Sequence, residues 1–391
     1  MRVARSDKNE FVPGFLMRVF HKILLHIIAV ASFLVLLYAY LTSDSGENRI
    51  FAVSENFTSP AFRTVVDKHE PVKTREGGSH GHAAAVDEPP VVVKKNVDDS
   101  FNVWCIFTKV SSNAPLKYKF KRFTHSLVQH ASIRTSLHII TDNSSRTIAE
   151  EIFENVRVST SKDFLIHYYD VKLLAEQLED IISAMQPHFS SQPGTYYSDA
   201  LFFLSLGLHR IAINQERAIM FDADTKLLTD VAHLFKEFDN FGPDALFGLA
   251  PELTPVYHHV LYMYRSRHKK TMFGEPASSP GGFPGVNSGV VLFRLDRMRQ
   301  SKEYNELLKL ESVSQLTSKY SFKGHLGDQD FYTLLAMEKP NLVHLLSCLW
   351  NRQLCTWWRD HGYRDVFDKF FHCEGSVNVY HGNCNTPIPD D

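Results

Sequence analysis

Two carboxylates separated by a single residue are the sharpest chemical signal in this sequence. Asp222 and Asp224 directly follow an apolar run over residues 218–221. Side chains alternate along an extended chain, so both carboxylates would lie on one face. Two such oxygens can bind Mg²⁺ or Mn²⁺ and leave coordination positions for the oxygens of a nucleotide diphosphate. Because the same pattern also occurs on solvated loops, this motif alone leaves both interpretations open.

A phosphatase could use the same pair, with the first aspartate attacking phosphorus and the second handling the proton. That interpretation predicts the motif early in the fold. Here the pair begins at residue 222 of a globular part that starts near residue 100, and Lys226 stands where such hydrolases carry Thr or Val. The phosphatase is therefore the weaker hypothesis.

Two further polar segments could contact a ligand. Asn287 and Ser288 stand between two glycines and ahead of an apolar run, so a ligand could approach the backbone closely, although an ordinary turn into a strand has the same composition. Asp328, Gln329 and Asp330 precede another apolar run, as at a helix N-terminus rich in acceptors. Helix capping would explain one of these aspartates but hardly the whole group.

A single histidine completes the set. His381 follows a run that starts at Val377 and precedes Gly382, so a strand would deliver its imidazole next to a glycine. Neutral imidazole is a common metal ligand, yet a lone histidine is more often structural. Both interpretations remain open for this residue.

The pattern after residue 100 predicts the scaffold that would position these side chains. Short apolar runs alternate with amphipathic segments, which is typical of an α/β sheet with crossover helices. Strands are predicted over 103–107, 137–140, 164–168 and 218–221, and helices around 117–130, 146–155 and 172–186. A doubly wound sheet binds ligands at the carboxyl ends of its strands. Three predicted ends carry polar residues there: Thr108 and Lys109, Thr141 and Asp142, and Asp222 and Asp224.

The first hundred residues predict a membrane anchor and a stem. Residues 23–41 are apolar except for two positions, about the length of a spanning helix. Basic residues outnumber acidic ones before this run, which keeps the N-terminus cytoplasmic; a cleaved signal peptide is the alternative. The expected organisation is a cytoplasmic tail over 1–22, a signal anchor over 23–42, a luminal stem over 43–99 and a globular domain over 100–391.

Charge and cysteine content set further limits. A net charge of -2 argues against a nucleic-acid partner. Four of the five cysteines lie between residues 348 and 384, and their wide spacing favours two disulfides in an oxidising compartment over the alternative, a zinc site. Cys105 lies in an apolar run and is expected to be buried and inert. Asn56 and Asn143 begin glycosylation sequons that matter only in a luminal chain.

The four polar motifs, in this order, resemble glycosyltransferase family 8, the glycogenin-like retaining enzymes of the GT-A fold. The resemblance implies a Rossmann-like mixed α/β sheet flanked by helices that binds a nucleotide sugar. It implies that Asp222, Asp224 and His381 hold the metal and that Asn287 and Ser288 contact the donor. The residues implied to line the sugar pocket are Asp328, Gln329 and Asp330.

Further donor contacts are expected at the end of the first strand, within the metal pair and around the Asp-Gln-Asp turn: Ile106, Phe107, Thr108, Ala223, Leu326 and Gln329. The family's usual ending resembles His-x-x-Gly-x-x-Lys-Pro-Trp. Here His381 is followed by GNCNTPIPDD, so the lysine that contacts phosphate is missing.

Four longer strings resemble the xylosyltransferase branch of this family: GTYYSDALFFLSL (194–206), GHLGDQDF (324–331), WNRQLCTWWRDHGY (350–363) and YHGNCNTPIP (380–389). The resemblance spans residues 100–391. It implies UDP-xylose as donor, Mn²⁺ as metal with Mg²⁺ as an alternative, and a single-pass type II location in the endoplasmic reticulum membrane. The implied acceptor is the xylose of a xylose-glucose disaccharide on serine of EGF-like repeats, as in Notch, extended in α-1,3 linkage.

The same resemblance assigns individual residues. It places Gln329, Trp358 and Asn383 on the acceptor side, where an indole face could stack on a sugar. It also implies disulfides between Cys348 and Cys373 and between Cys355 and Cys384.

Gln329 and Asp328 are the expected catalytic residues. Retention by double displacement needs a nucleophile under the sugar ring, and an amide is a poor one. We therefore expect same-face attack, with the departing phosphate taking the acceptor proton. Two alternatives remain: a family 8 transferase that uses UDP-glucose or UDP-galactose, and an inactive luminal glycan-binding module. Intact Asp222, Asp224 and His381 argue against the module, and a homodimer stays open.

Overall fold

A computed structural model describes residues 101–190 and 200–389. The expected tail, anchor and stem, and the sequon at Asn56, lie outside these residues. Within the described part of the chain, no helix is long and apolar enough to cross a membrane.

A seven-stranded mixed sheet forms the centre of the fold, in the order β3-β2-β1-β4-β7-β6-β8. Strands β1 to β4 are mutually parallel, and β7 runs antiparallel to both β4 and β6. The strands of this sheet are β1 Phe101–Phe107, β2 Thr135–Thr141, β3 Leu165–Asp170, β4 Arg217–Phe221, β6 Phe247–Pro251, β7 Val286–Arg294 and β8 Val343–Leu345. This is the mixed sheet flanked by helices that the GT-A resemblance implies.

Helices cover both faces of the sheet. They are α1 Pro115–His130, α2 Asn143–Thr160, α3 Val171–Gln177, α4 Glu179–Phe189, α5 Leu208–Ile211, α6 Val231–Lys236, α7 Val256–Val260, α8 Tyr262–Arg267, α9 Leu295–Gln300, α10 Lys302–Leu307, α11 Leu310–Tyr320, α12 Asp328–Glu338 and α13 Arg364–Phe370. Shorter 3₁₀ turns span Ala200–Gly207, Glu237–Asn240, Pro340–Leu342 and Cys348–Trp350, and a π turn spans Arg359–Tyr363.

Alternation along the strands divides the apolar core into two layers. Trp104 of β1 packs on one face of the sheet, with α4 and α12, whereas Val103, Cys105 and Phe107 pack on the other, with α1 and α2. Cys105 is fully buried and unpaired, as expected, and burial raises the pKa of its thiol well above the usual value. This thiol packs as a small apolar group.

The predicted elements are confirmed with small shifts at their ends, apart from one helix. The segment predicted as one helix over 172–186 forms two, α3 and α4, because the backbone of Leu178 leaves the helical region between them. The side chain of Leu178 is fully buried there.

A small second sheet holds the C-terminal segment. It has the order β5-β10-β9, with β5 Thr225–Leu227, β9 Arg352–Gln353 and β10 Val379–His381. Disulfides join Cys348 to Cys373 and Cys355 to Cys384, which confirms the pairing that the resemblance implies. The second bond fastens the chain three residues after His381.

Candidate active site

Asp222, Asp224 and His381 meet where β4 ends and β10 ends. The backbone N–H of Asp222 donates to Gly289 O of β7 (2.9 Å), and Gly382 N donates to Asp224 O (2.8 Å). Pairing of His381 with Thr225 at the start of β5 brings the end of β10 beside the two carboxylates. The predicted strand ends at Phe221, and the backbone then turns, with Thr225 N donating to Asp222 O (3.2 Å), so a turn and not an extended chain brings the two carboxylates together.

The three side chains are close enough to share one ion. His381 Nε2 lies 3.4 Å from Asp222 Oδ2 and 3.4 Å from Asp224 Oδ1, and one ligand atom from each residue falls within 4.8 Å of the others. His381 is only 4% exposed, and its Nδ1 is 3.0 Å from Asn351 Oδ1, so Nε2 faces the carboxylates. A Cβ at Gly289 would lie 2.2 Å from the imidazole, so only glycine leaves room for the ring here.

Charges at this cluster are strongly coupled. Burial alone would lower the pKa of His381, but the hydrogen bonds and charges of Asp222 and Asp224 outweigh it and raise the pKa to about 10. Burial likewise opposes ionisation of Asp224, yet His381 and Lys119 lower its pKa to about 2. Lys119 of α1 reaches Asp224 Oδ2 (3.3 Å) and Gly382 O (3.0 Å). Two negative charges are therefore balanced by two positive ones.

This donor set fits a divalent cation. Two carboxylate oxygens and an imidazole nitrogen suit Mn²⁺ or Mg²⁺, and the orientation of His381 by Asn351 is the kind of support that metal-binding histidines require. Asp222 is 54% exposed, so the cluster opens to solvent on the side where a ligand could enter.

The Asn-Ser-Gly segment lies inside β7, not in a turn before it. The register between β6 and β7 shifts at Leu249 and Ala250, opposite this segment. Ser288 Oγ donates to Asp328 Oδ1 (3.0 Å), and Ser288 N donates to Gln329 Oε1 (3.3 Å). Strand β7 thus joins the metal cluster to the start of α12.

At the start of α12, three polar residues pack inward. Gly327, the residue before the helix, has a positive φ of 67° and no side chain that could cap it. Asp328 accepts from Ser205 Oγ (2.5 Å), and Asp330 accepts from Tyr257 OH (2.9 Å) and Leu326 N (2.7 Å). Burial raises the pKa of both carboxyls to about 7, and the charge of Asp222 adds to the shift at Asp328. Capping accounts for the bond from Leu326 N to Asp330 but not for Asp328, whose carboxylate accepts from Ser205 and Ser288.

The other predicted donor residues differ in what they can offer. Phe107 is fully buried and stacks on Phe120 at a centroid distance of 4.0 Å, so a donor could contact only its backbone. Ala223 is also buried, whereas Ile106, Thr108 and Leu326 are half-buried.

Two of the three predicted acceptor residues, Trp358 and Asn383, lie on the two segments that the second disulfide joins, whereas Gln329 lies in α12. Asn383 Oδ1 accepts from Leu354 N (3.1 Å) and Cys355 N (2.9 Å), which leaves its amide nitrogen for a ligand. Trp358 is half-buried beside His259, at a centroid distance of 5.4 Å, whereas Trp357 is 50% exposed.

Three residues of this region escaped prediction: Lys119, Glu252 and Asn351. Glu252 follows the apolar strand β6 as Asp222 follows β4, so the same pattern could have revealed it. Asn351 lies within the string WNRQLC but has no distinctive neighbours, and Lys119 is one of several lysines on an amphipathic helix. Only the folded chain brings these two to the metal ligands.

Known proteins similar to this chain are sugar transferases. Proteins named xyloside xylosyltransferase 1 from Mus musculus and Homo sapiens are each 46% identical over 297 residues, which cover 74% of this chain and 75% of each relative. A crystal structure of the apo form of the mouse protein matches with a TM-score of 0.69 and 45% identity, over 74% of this chain and 99% of that one.

More distant similarity reaches a second group. Xylosyl- and glucuronyltransferase LARGE1 of Danio rerio is 29% identical over 245 residues, which cover 62% of this chain and 29% of that protein. No family model matches the chain.

Proposed function

Because the chain belongs to the xyloside xylosyltransferase family, we propose that it transfers xylose from UDP-xylose, in α-1,3 linkage, to the xylose of a xylose-glucose disaccharide on serine of EGF-like repeats. The observation that carries this proposal is the convergence of Asp222, Asp224 and His381 in a chain 46% identical to a protein named xyloside xylosyltransferase 1.

The metal end would bind the diphosphate. A divalent cation, Mn²⁺ or alternatively Mg²⁺, held by Asp222, Asp224 and His381, would neutralise charge on the departing UDP. Asn351 keeps the imidazole nitrogen directed at the site, and Lys119 supplies a further positive charge beside Asp224. Preorganised charges of this kind lower the barrier without reorganising during the reaction.

Asp328, Ser288 and Gln329 would hold the sugar. The bond between the anomeric carbon and the phosphate oxygen breaks as the acceptor hydroxyl attacks from the same face, and the departing phosphate oxygen takes the hydroxyl proton. Gln329 is an amide and only 8% exposed, which supports same-face attack over a covalent intermediate on this residue. A glycosyl adduct on a carboxylate, detected by mass spectrometry, would overturn this mechanism.

We place this catalytic domain over residues 100–391 in the lumen of the endoplasmic reticulum, behind the predicted tail (1–22), anchor (23–42) and stem (43–99). Two disulfides suit an oxidising compartment. Protease protection of the C-terminal part in intact microsomes would support this topology, and digestion there would contradict it.

A donor panel tests the function. The purified full-length protein is incubated with a xylose-glucose-modified repeat, Mn²⁺ and radiolabelled UDP-xylose, UDP-glucose or UDP-galactose, with EDTA as control. We expect incorporation of xylose that EDTA abolishes. Preferred incorporation of a hexose would reject the xylosyl donor, and absence of both transfer and UDP release with any metal would support the glycan-binding module.

A further inference from the structure

Glu252 is a buried carboxylate at the centre of the site that no step of the proposed reaction uses. It follows β6 and is 3% exposed. Each of its oxygens accepts two hydrogen bonds from neutral groups. Oε1 accepts from Thr254 N (2.9 Å) and Thr254 Oγ1 (2.7 Å), and Oε2 accepts from Asn287 Nδ2 (2.9 Å) and Gln329 Nε2 (3.1 Å). Burying a carboxylate without a cation is costly, so its position calls for an explanation.

The carboxylate and the backbone N–H of Ser288 hold opposite ends of the Gln329 amide. An ionised carboxylate only accepts hydrogen bonds, so the amide must present its nitrogen to Glu252. That nitrogen also donates to Tyr257 OH (3.3 Å), whose proton goes to Asp330. The amide oxygen of Gln329 therefore faces Ser288 N, beside the hydroxyl that contacts Asp328. A flipped amide would place two oxygens against each other.

A second chain of amides leads from the same oxygen to the metal ligands. Asn287 Nδ2 donates to Glu252, and Asn287 Oδ1 accepts from Gly289 N (3.0 Å) and Asn351 Nδ2 (2.8 Å). Asn351 then presents its own oxygen to His381 Nδ1 (3.0 Å). Each amide therefore has an acceptor at its nitrogen end and a donor at its oxygen end, and the series begins at Glu252.

We propose that Glu252 is a positioning residue for sugar transfer, whose carboxylate sets the orientation of the Gln329 amide at the donor sugar and, through Asn287 and Asn351, of the His381 imidazole. The role rests on the proposed function, since it concerns the same reaction. It follows from the hydrogen-bonding chemistry of a group that only accepts.

The test compares Glu252→Gln with Thr254→Val. A glutamine at position 252 can present its own nitrogen to Gln329, which removes the acceptor at the nitrogen end of that amide and leaves only Ser288 N to orient it. Thr254→Val removes only the hydroxyl bond to the opposite carboxylate oxygen. We expect Glu252→Gln to lower kcat for transfer and for donor hydrolysis about tenfold or more, while KM for UDP-xylose changes less than about threefold. Thr254→Val should retain wild-type kcat. Equal kinetic losses in both variants would overturn the proposal.

A double-mutant cycle asks whether Glu252 acts through Gln329. In a Gln329→Ala background, Glu252→Gln should cost less than about a third of the fold-change in kcat that it costs in the wild type. An equal loss in both backgrounds, or a xylosyl adduct on Glu252 itself, would contradict a positioning role.

Binding measurements distinguish failure of the positioning role of Glu252 from failure of the proposed function. Calorimetric titration with UDP and Mn²⁺ should give affinities for Glu252→Gln within about tenfold of wild type, which would show a folded site. If Glu252→Gln does not fold, Glu252→Asp withdraws the carboxylate by one methylene from Gln329 Nε2 and Asn287 Nδ2. That variant should also lower kcat, and an unchanged kcat would overturn the proposal. If the wild type binds but does not use UDP-xylose, the proposed function fails instead.

Discussion

The two acidic groups of this site are neutralised in opposite ways. At the metal end, Asp222 and Asp224 face a protonated His381 and Lys119. At the start of α12, Asp328, Asp330 and nearby Glu252 are surrounded by hydroxyls, amides and backbone N–H groups, and burial raises their pKa values. The first group can exchange its positive partners for a metal, whereas the second orients its neighbours and, in the proposed reaction, the donor sugar through hydrogen bonds. One site thus combines carboxylates for charge with carboxylates for orientation.

The largest expected effect comes from removing charge at the metal end. Asp222→Asn or Asp224→Asn should lower transfer by about a thousandfold or more, because in the proposed function both carboxylates bind the metal. The melting temperature of Asp222→Asn should change little, since its side chain is 54% exposed. Asp224→Asn should lower it, because His381 and Lys119 lose their buried partner. Asp239→Asn, on a surface turn, serves as the control. Full activity in EDTA, or in either variant, would show that transfer does not need a metal bound by Asp222 and Asp224.

The second effect concerns the C-terminal segment that carries His381. Replacing Cys355 and Cys384 by alanine opens a bridge between residues 29 positions apart, which should lower the free energy of unfolding by about 3 kcal/mol in the entropic model. The matched control replaces Cys348 and Cys373, which are 25 positions apart. Denaturation should find similar losses of stability. Only the first pair should also weaken Mn²⁺ binding, and equal weakening by both would show that the disulfide near His381 has no special role.

A loss of acceptor binding should leave the roles of both acidic groups intact. Trp358→Ala should raise KM for the acceptor about tenfold through loss of an aromatic face, with little change in donor hydrolysis. Trp357→Ala, which alters the neighbouring exposed indole, is the control. If Trp358→Ala impairs hydrolysis as much as transfer, this tryptophan supports the fold and does not bind acceptor.

The smallest effect is a gain in stability at the start of α12. The folded pKa of Asp328 is raised to about 7, chiefly by burial and further by the charge of Asp222, above the usual value of 3.8. The folded state therefore keeps a proton that the unfolded state has released, and stability falls as pH rises from about 4 to 7. Asp328→Asn should raise the free energy of unfolding at pH 8 by on the order of 1 kcal/mol.

Urea denaturation of Asp328→Asn and wild type at pH 8 and pH 4 would measure this gain, which should vanish at the lower pH. The Asp328→Asn variant should be less active than the wild type at both pH values. Equal stability of the two proteins at pH 8 would mean that the hydrogen bonds to Asp328 fully offset the cost of burying its charge.

The sequence was most informative where a local pattern encodes the geometry. The apolar run before Asp222 predicts the buried strand that leads to both carboxylates, although a turn and not an extended chain brings them together. The cysteine pairing followed from resemblance over long strings. The bonds from Lys119 to Asp224 and from Asn351 to His381 join residues 105 and 30 positions apart, so no local pattern reveals them. Glu252 lies between these cases, because its strand was recognisable but its burial among amides depends on the packing of β6, β7 and α12.

Binding of Mn²⁺ in the presence of UDP, followed by electron paramagnetic resonance, tests the division between the two acidic groups most directly. We predict one tightly bound ion per chain in the wild type and in Glu252→Gln, and loss of that ion in Asp224→Asn. Unchanged binding in Asp224→Asn, or its complete loss in Glu252→Gln, would contradict the separation of charge from orientation on which the account rests.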